Sequence, residues 1–146
     1  MRELLFRGKR LLNGEWVHGH SIRNTLMTSD KLDKFGRKSM LPKSVAIRED
    51  AEENSFYWTL VDSNTVGQWT GLLDSKRNKI FEGDIVKRII AKENGLIVWD
   101  DKRCGFYIKP LSRIGKAMYD PYYKMNANKL EIVGNIYDNP ELLEEK

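Results

Sequence analysis

Polar clusters with turn chemistry punctuate this chain at short intervals, and they constrain its fold more than any other feature. Asn13-Gly14, Asp62-Ser63-Asn64, Glu82-Gly83-Asp84 and Asn94-Gly95 each stand between runs rich in aliphatic, β-branched or aromatic residues. Strands of four to eight residues fit between such signals, and long helices do not. Asn-Gly suits a type I′ hairpin turn, because both central residues need φ > 0. The spacing predicts a hairpin over residues 3–22, strands over Phe56–Val61 and Thr65–Leu72, and four or five more from Ile80 to Tyr137, with Asn94-Gly95 turning one of them back. That last set suffices for a small SH3-like or OB-like barrel. Asn139-Pro140-Glu141 reads as a helix start, with Pro in the first turn and an acid near the positive end. A short helix is expected over Pro140–Glu145, docked through Leu142 and Leu143.

Residues 23–55 carry the weakest pattern. Seven basic and six acidic residues are mixed there, and Phe35-Gly36 and Pro42 interrupt them. Only Val45-Ala46-Ile47 has strand character; the rest reads as variable loop or a marginal helix.

Composition narrows the classes of function. The chain has 146 residues, a single-domain length, with 40% hydrophobic and 32% charged residues. Its apolar runs reach about four residues, against about 20 for a bilayer span. The opening MRELLFRGKR is broken by charge and lacks the apolar stretch of a signal peptide. One cysteine, Cys104, allows no intramolecular disulfide. A cytoplasmic chain is expected, with no membrane partner. The net charge of +4 divides into +8 over residues 1–130 and −4 over the last 16. A basic body with an acidic tail permits binding to nucleic acid or to an acidic partner.

Each reactive residue type has a structural reading beside the chemical one. His18 and His20 fall on one face of a strand with Trp16, but no third metal ligand is in view. Glu82, Asp84, Asp100 and Asp101 are more simply turn acceptors than paired catalytic carboxylates. Cys104 beside Lys102 and Arg103 has no histidine near it in sequence. Thr65–Gly71 holds two glycines without the Gly-Lys-Ser/Thr ending of a phosphate loop, so Gly67 and Gly71 read as a bulge and a turn. Trp69 reads as core. No catalytic residue, metal or cofactor is assigned. The strongest binding signal is basic–aromatic interleaving. Arg7, Lys9 and Arg10 face Trp16 across the first hairpin, and Lys87 and Arg88 are grouped with Trp99, Lys102 and Arg103. Tyr107 with Lys109 and Tyr122-Tyr123-Lys124 add to the pattern. Aromatic faces stack bases while Lys and Arg hold phosphates.

Several longer segments together resemble the YopX family, small proteins of phages and prophages in Gram-positive bacteria. They are Arg2-Glu3 with Phe6-Arg7-Gly8, Asn13–Gly19 (NGEWVHG), Val61–Leu72 (VDSNTVGQWTGL), Ile80–Val86 (IFEGDIV) and Glu131–Leu143 (EIVGNIYDNPELL). The family often has Pro at Ser63, Tyr at Trp69 and His18, and Asn-Gly where Arg77-Asn78 stand. The resemblance implies a β-rich fold with an SH3-like barrel, self-association and a phage setting, and it carries over no catalytic motif. The expected fold is therefore mostly β. Residues 80–146 form a small SH3-like barrel with a short C-terminal helix, and residues 1–79 an N-terminal β segment (hairpin 3–22, loop 23–55, strands 56–72). One continuous domain over 1–146 is the alternative. The expected function is a non-catalytic accessory protein, a binding or assembly module, with nucleic acid as the candidate partner of Arg7, Lys9, Arg10, Trp16, Lys87, Arg88, Trp99, Lys102 and Arg103. A self-assembling homo-oligomer or a module for phage or host protein is the alternative, and an enzyme is third.

Overall fold

The computed structural model describes residues 3–25, 28–32, 38–40, 44–49, 57–90, 92–111, 120–121 and 127–143. They form a mostly β protein of several antiparallel sheets, in two compact units, Met1–Gln68 and Trp69–Lys146.

In the first unit, β1 (Phe6–Lys9) pairs with β2 (Trp16–Gly19) from Phe6↔Gly19 to Lys9↔Trp16. The other edge of β1 takes the start of β8 (Gly67–Leu73), through Phe6↔Gln68 and Arg7↔Gly67. A second sheet runs β3 (Ser21–Thr25), β6 (Ser44–Arg48), β7 (Trp58–Val61). Between β3 and β6, β4 (Thr28–Leu32) and β5 (Lys38–Met40) make a hairpin of their own. Alternation along β1 and β2 sends Val17 to a core of Val17, Val45, Ile47 and Val61, which Phe6 and Val66 cover. The two sheets approach closely. A Cβ on Gly19 would lie 1.8 Å from the Arg48 carbonyl oxygen.

In the second unit, β9 (Lys79–Phe81) pairs with the later part of β8. Then β10 (Asp84–Arg88), β11 (Glu93–Asp100), β12 (Gly105–Pro110) and β13 (Asp120–Pro121) form a meander, and β14 (Leu130–Asn135) returns beside β10. Ile80, Val86, Ile97, Phe106, Ile108 and Leu130 form its core, with Leu72, Ala127 and Ile132 packed on it.

Four expectations are corrected. No closed barrel forms among the described residues; the five strands β13-β12-β11-β10-β14 make an open sheet. Among the described residues the outer edge of β14 does not meet another strand. Its Leu130 carbonyl accepts the Ser75 amide at 2.8 Å, and its Ile132 amide donates to Asp74 Oδ2 at 3.2 Å. The Asn13-Gly14 turn is in its expected place but is not type I′: Gly14 has φ 72, Asn13 does not share the positive φ, and Arg10 N donates to Glu15 O across a four-residue loop. Asn94-Gly95 lies inside β11, paired with Lys87 and Val86. The chain turns earlier, where Lys92 takes φ 56 and its amide donates to Arg88 O at 2.7 Å. Gly95 is required by packing instead, since a Cβ there would lie 2.3 Å from Ile108 Cγ2. Last, Pro140–Leu143 is a 3-10 turn, not an α-helix, with the Leu142 amide donating to Asn139 O. So short a segment cannot build the i→i−4 ladder. Leu142 is half-buried and Leu143 exposed; Glu144 and Glu145 lie outside the described residues.

The variable region proves strand-rich. Val45-Ala46-Ile47 sits in the central strand of its sheet, and β4 and β5 fall where composition suggested loop. Their sequences, TSDKL and KSM, carry almost no apolar alternation, so pairing there comes from hairpin closure.

Arg77 adopts φ 70, a left-handed conformation unfavourable for a residue with a Cβ. Arg77→Gly is expected to raise stability by about 0.5–1 kcal/mol in urea unfolding, and Arg77→Val to lower it. Gly19→Ala is expected to cost about 3 kcal/mol or more, because the clash is with backbone and no side chain can yield.

Candidate functional site

The first group of candidate residues lies on the outer face of β1 and β2. Arg7 and His18 are register partners, as are Lys9 and Trp16, so all four project to the same side. The Arg7 guanidinium stands 4.6 Å from the Trp16 ring centroid and Lys9 Nζ 5.5 Å from it, both within cation–π range. Arg7 is only 8% exposed. Arg10 departs from the group. It bonds both Glu49 oxygens, at 3.1 and 2.9 Å, and stands 3.7 Å from Glu15. Thr59 Oγ1 also donates to Glu49.

The second group is split by register. Arg88 pairs with Glu93 at the start of β11, whereas Trp99 stands six residues further on, about 20 Å along the strand. Lys87 and Arg88 therefore lie at one end of the sheet, and Trp99, Lys102 and Arg103 at the other. Consecutive strand residues also face opposite sides, so Lys87 and Arg88 diverge from each other. Trp99 meets Phe106 edge-on, centroids 5.1 Å apart, and its indole N–H donates to Asp101 at 2.9 Å. Arg88 stands 4.0 Å from Glu93, and Arg103 donates to Asp100 and stands 5.6 Å from the Tyr107 ring. Lys87, Lys102 and Lys109 are exposed. Tyr122, Tyr123 and Lys124 lie outside the described residues.

The remaining candidates have structural tasks. Glu82-Gly83-Asp84 is a tight turn: Gly83 has φ 84, and Asp84, 1% exposed, accepts the Phe81 amide at 2.7 Å. Asp100 accepts the Lys102 and Arg103 amides. His20 faces Glu3 at 2.9 Å, beyond the end of β2. Among the described residues no three His, Cys, Asp or Glu side chains are grouped as metal ligands. Cys104 is exposed at φ 50 in the β11–β12 turn. Gly71, at φ 89, marks a bulge between Trp69 and Leu73, and the Trp69 indole donates to Leu72 O beneath Lys79. No described helix is long and apolar enough to cross a membrane.

Sequence reasoning missed Asp74. It is 3% exposed; Oδ1 accepts the Lys76 and Asn78 amides, and Oδ2 accepts the Asn78 side chain and the Ile132 amide. Burial pushes its carboxyl up, but the hydrogen bonds from Asn78, Ile132 and Lys76 outweigh this and hold it below the ordinary range. Lys76 reaches Glu131, whose hydrogen bond and charge raise the ammonium. Burial likewise raises Asp100, and Arg103 and the Lys102 amide outweigh it to lower it. An Asp opening a polar DSKRNK run was the available signal, since Asp bonds amides two residues ahead.

The family model described as YopX protein matches residues 6–144. Among solved structures the chain is similar to protein EF1440 from Enterococcus faecalis, at 21% identity, with 97% of this chain and 98% of that chain covered and a TM-score of 0.48. No curated protein matches.

The lowered Asp74 carboxyl has a consequence for stability. Its contribution is fully present above the unfolded-state pKa, about 3.9, and is lost as pH falls through the lower folded value. Urea midpoints are expected to fall from about pH 5 downward. Asp74→Asn should be less stable at neutral pH and lose less on acidification.

Proposed function

The chain belongs to the YopX family, whose model spans residues 6–144, and we propose that it acts as a non-catalytic, cytoplasmic binding or assembly module. Its contacts are with protein, a second copy of itself foremost, and in a phage setting with phage or host protein, rather than with nucleic acid. The observation that carries this reading is the disposition of the arginines. Arg10 is held by Glu49, Arg88 stands beside Glu93, and Arg103 is held by Asp100. Arg7 is nearly buried over Trp16. A phosphate would have to displace a carboxylate at three of the four, and a base could stack on Trp16 only by displacing its cations. Exposed apolar pairs at two turn tips, Leu11-Leu12 and Ile89-Ile90, suit a protein contact; Leu12 is 94% exposed.

A gel-shift series with single- and double-stranded DNA and RNA, run beside light scattering, tests the proposal. No salt-dependent shift at about 50 mM salt, and a mass that is a multiple of the chain mass, are expected. A monomeric mass with nucleic-acid binding that falls steeply with salt would sink it.

A further inference from the structure

Strand β3 (Ser21–Thr25) lies at the rim of its sheet. All five of its residues pair with β6 on one side, from Ser21↔Arg48 to Thr25↔Ser44, with no bulge. Among the described residues its other side pairs with no strand. Ile22, Arg23 and Asn24 are all exposed. The opposite rim of the same sheet is closed: the Leu60 carbonyl of β7 accepts the Leu11 amide at 3.1 Å, and the Asp62 amide that follows β7 donates to Lys9 O at 2.9 Å.

An uncovered rim presents N–H and C=O groups to any other chain, and proteins guard such rims with proline, bulges or outward charge. Strand β3 has neither proline nor bulge. Its one charge, Arg23, is drawn onto one face of the sheet, 4.2 Å from the Trp58 ring centroid. Ile22 points to the other face, where its register partner Ile47 is fully buried in the core. Ile22 itself is 37% exposed, so this apolar layer stops at a side chain that is only partly covered.

We infer that β3 pairs antiparallel with β3 of a second copy, about a two-fold axis through Ile22. This inference rests on the self-assembly reading and names its surface. In a two-fold antiparallel pair, directly opposed side chains share a face, so one residue must stand opposite its own copy. Centring on Arg23 would oppose two guanidiniums, and like charges directly opposite destabilise a strand pair. Centring on Ile22 opposes two isoleucines, buries the exposed part of each, and sets Arg23 opposite Ser21 of the second copy. Each Arg23 then keeps its own Trp58. The joined sheet runs β7-β6-β3-β3-β6-β7, and the contact is isologous, so it closes at two copies.

Light scattering and oxidative cross-linking of the full chain test it, with Cys104→Ser as background because Cys104 is exposed. In that background Ile22→Cys is expected to give a disulfide-linked dimer on mild oxidation. Arg23→Cys is expected to give none, because its two copies would stand about 8 Å apart between Cα atoms, beyond disulfide reach. Ile22→Lys is expected to weaken self-association about tenfold or more by opposing two ammonium groups. Cross-linking through position 23 and not 22, or wild-type assembly that neither cross-links through position 22 nor responds to Ile22→Lys, overturns this surface and leaves the assembly reading standing. Should Ile22→Lys fail to fold, as read by circular dichroism, the cross-link alone decides. A wild-type chain that stays monomeric removes both.

Discussion

Short strands leave many turns, and every turn leaves amide hydrogens that need an acceptor. Asp and Asn side chains meet that need throughout this protein. Asp62 accepts the Asn64 amide, Asp74 those of Lys76, Asn78 and Ile132, and Asp84 that of Phe81. Asp100 accepts from Lys102 and Arg103, and Asn135 from Tyr137 and Asp138. Asn13 does the same for Glu15, and Asn139 for Asn135. Two of these groups, Asp74 and Asp84, are almost wholly buried, where an unbonded amide costs about 1–3 kcal/mol. The small cores lie between turns that these side chains close.

That constraint explains much of the family resemblance. The segment GNIYDNP is dense in polar groups. In the structure Asn135 closes the turn through its own side chain, and Asn139 Oδ1 sits where a Cβ on Gly134 would approach to 2.5 Å. Asp62 and Asp84 play the same part in the other two central motifs. In each of these motifs the polar side chain closes a turn.

The same economy applies to the cations. Among the described residues, Trp16, Trp58 and Trp69 have a Lys or Arg over the ring. Arg10, Arg88 and Arg103 each have a carboxylate within reach. Sequence spacing showed basic and aromatic residues side by side and suggested a site that both contribute to. In β1 and β2 they do converge, because Lys9 and Trp16 are register partners. In β10 and β11 they do not, because the register sets Arg88 opposite Glu93 and leaves Trp99 at the far end. Strand pairing is a long-range property, and adjacency in sequence does not report it.

Local chemistry alone was enough for the β class, the first hairpin, the Gly83 turn and the strand character of Val45–Ile47. Turn residues and side-chain alternation act over a few positions, so one chain suffices to read them. Tertiary packing decided the rest. It drew Asn94-Gly95 into a strand, where Ile108 leaves no room for a Cβ at Gly95. It left the sheet open, because Asp74 and Ser75 occupy the edge of β14. It also committed Arg10 to Glu49, a partner distant in sequence, and so removed that charge from those left for a partner. Each of these outcomes depends on atoms brought together only by the fold, at separations where sequence pattern carries no signal.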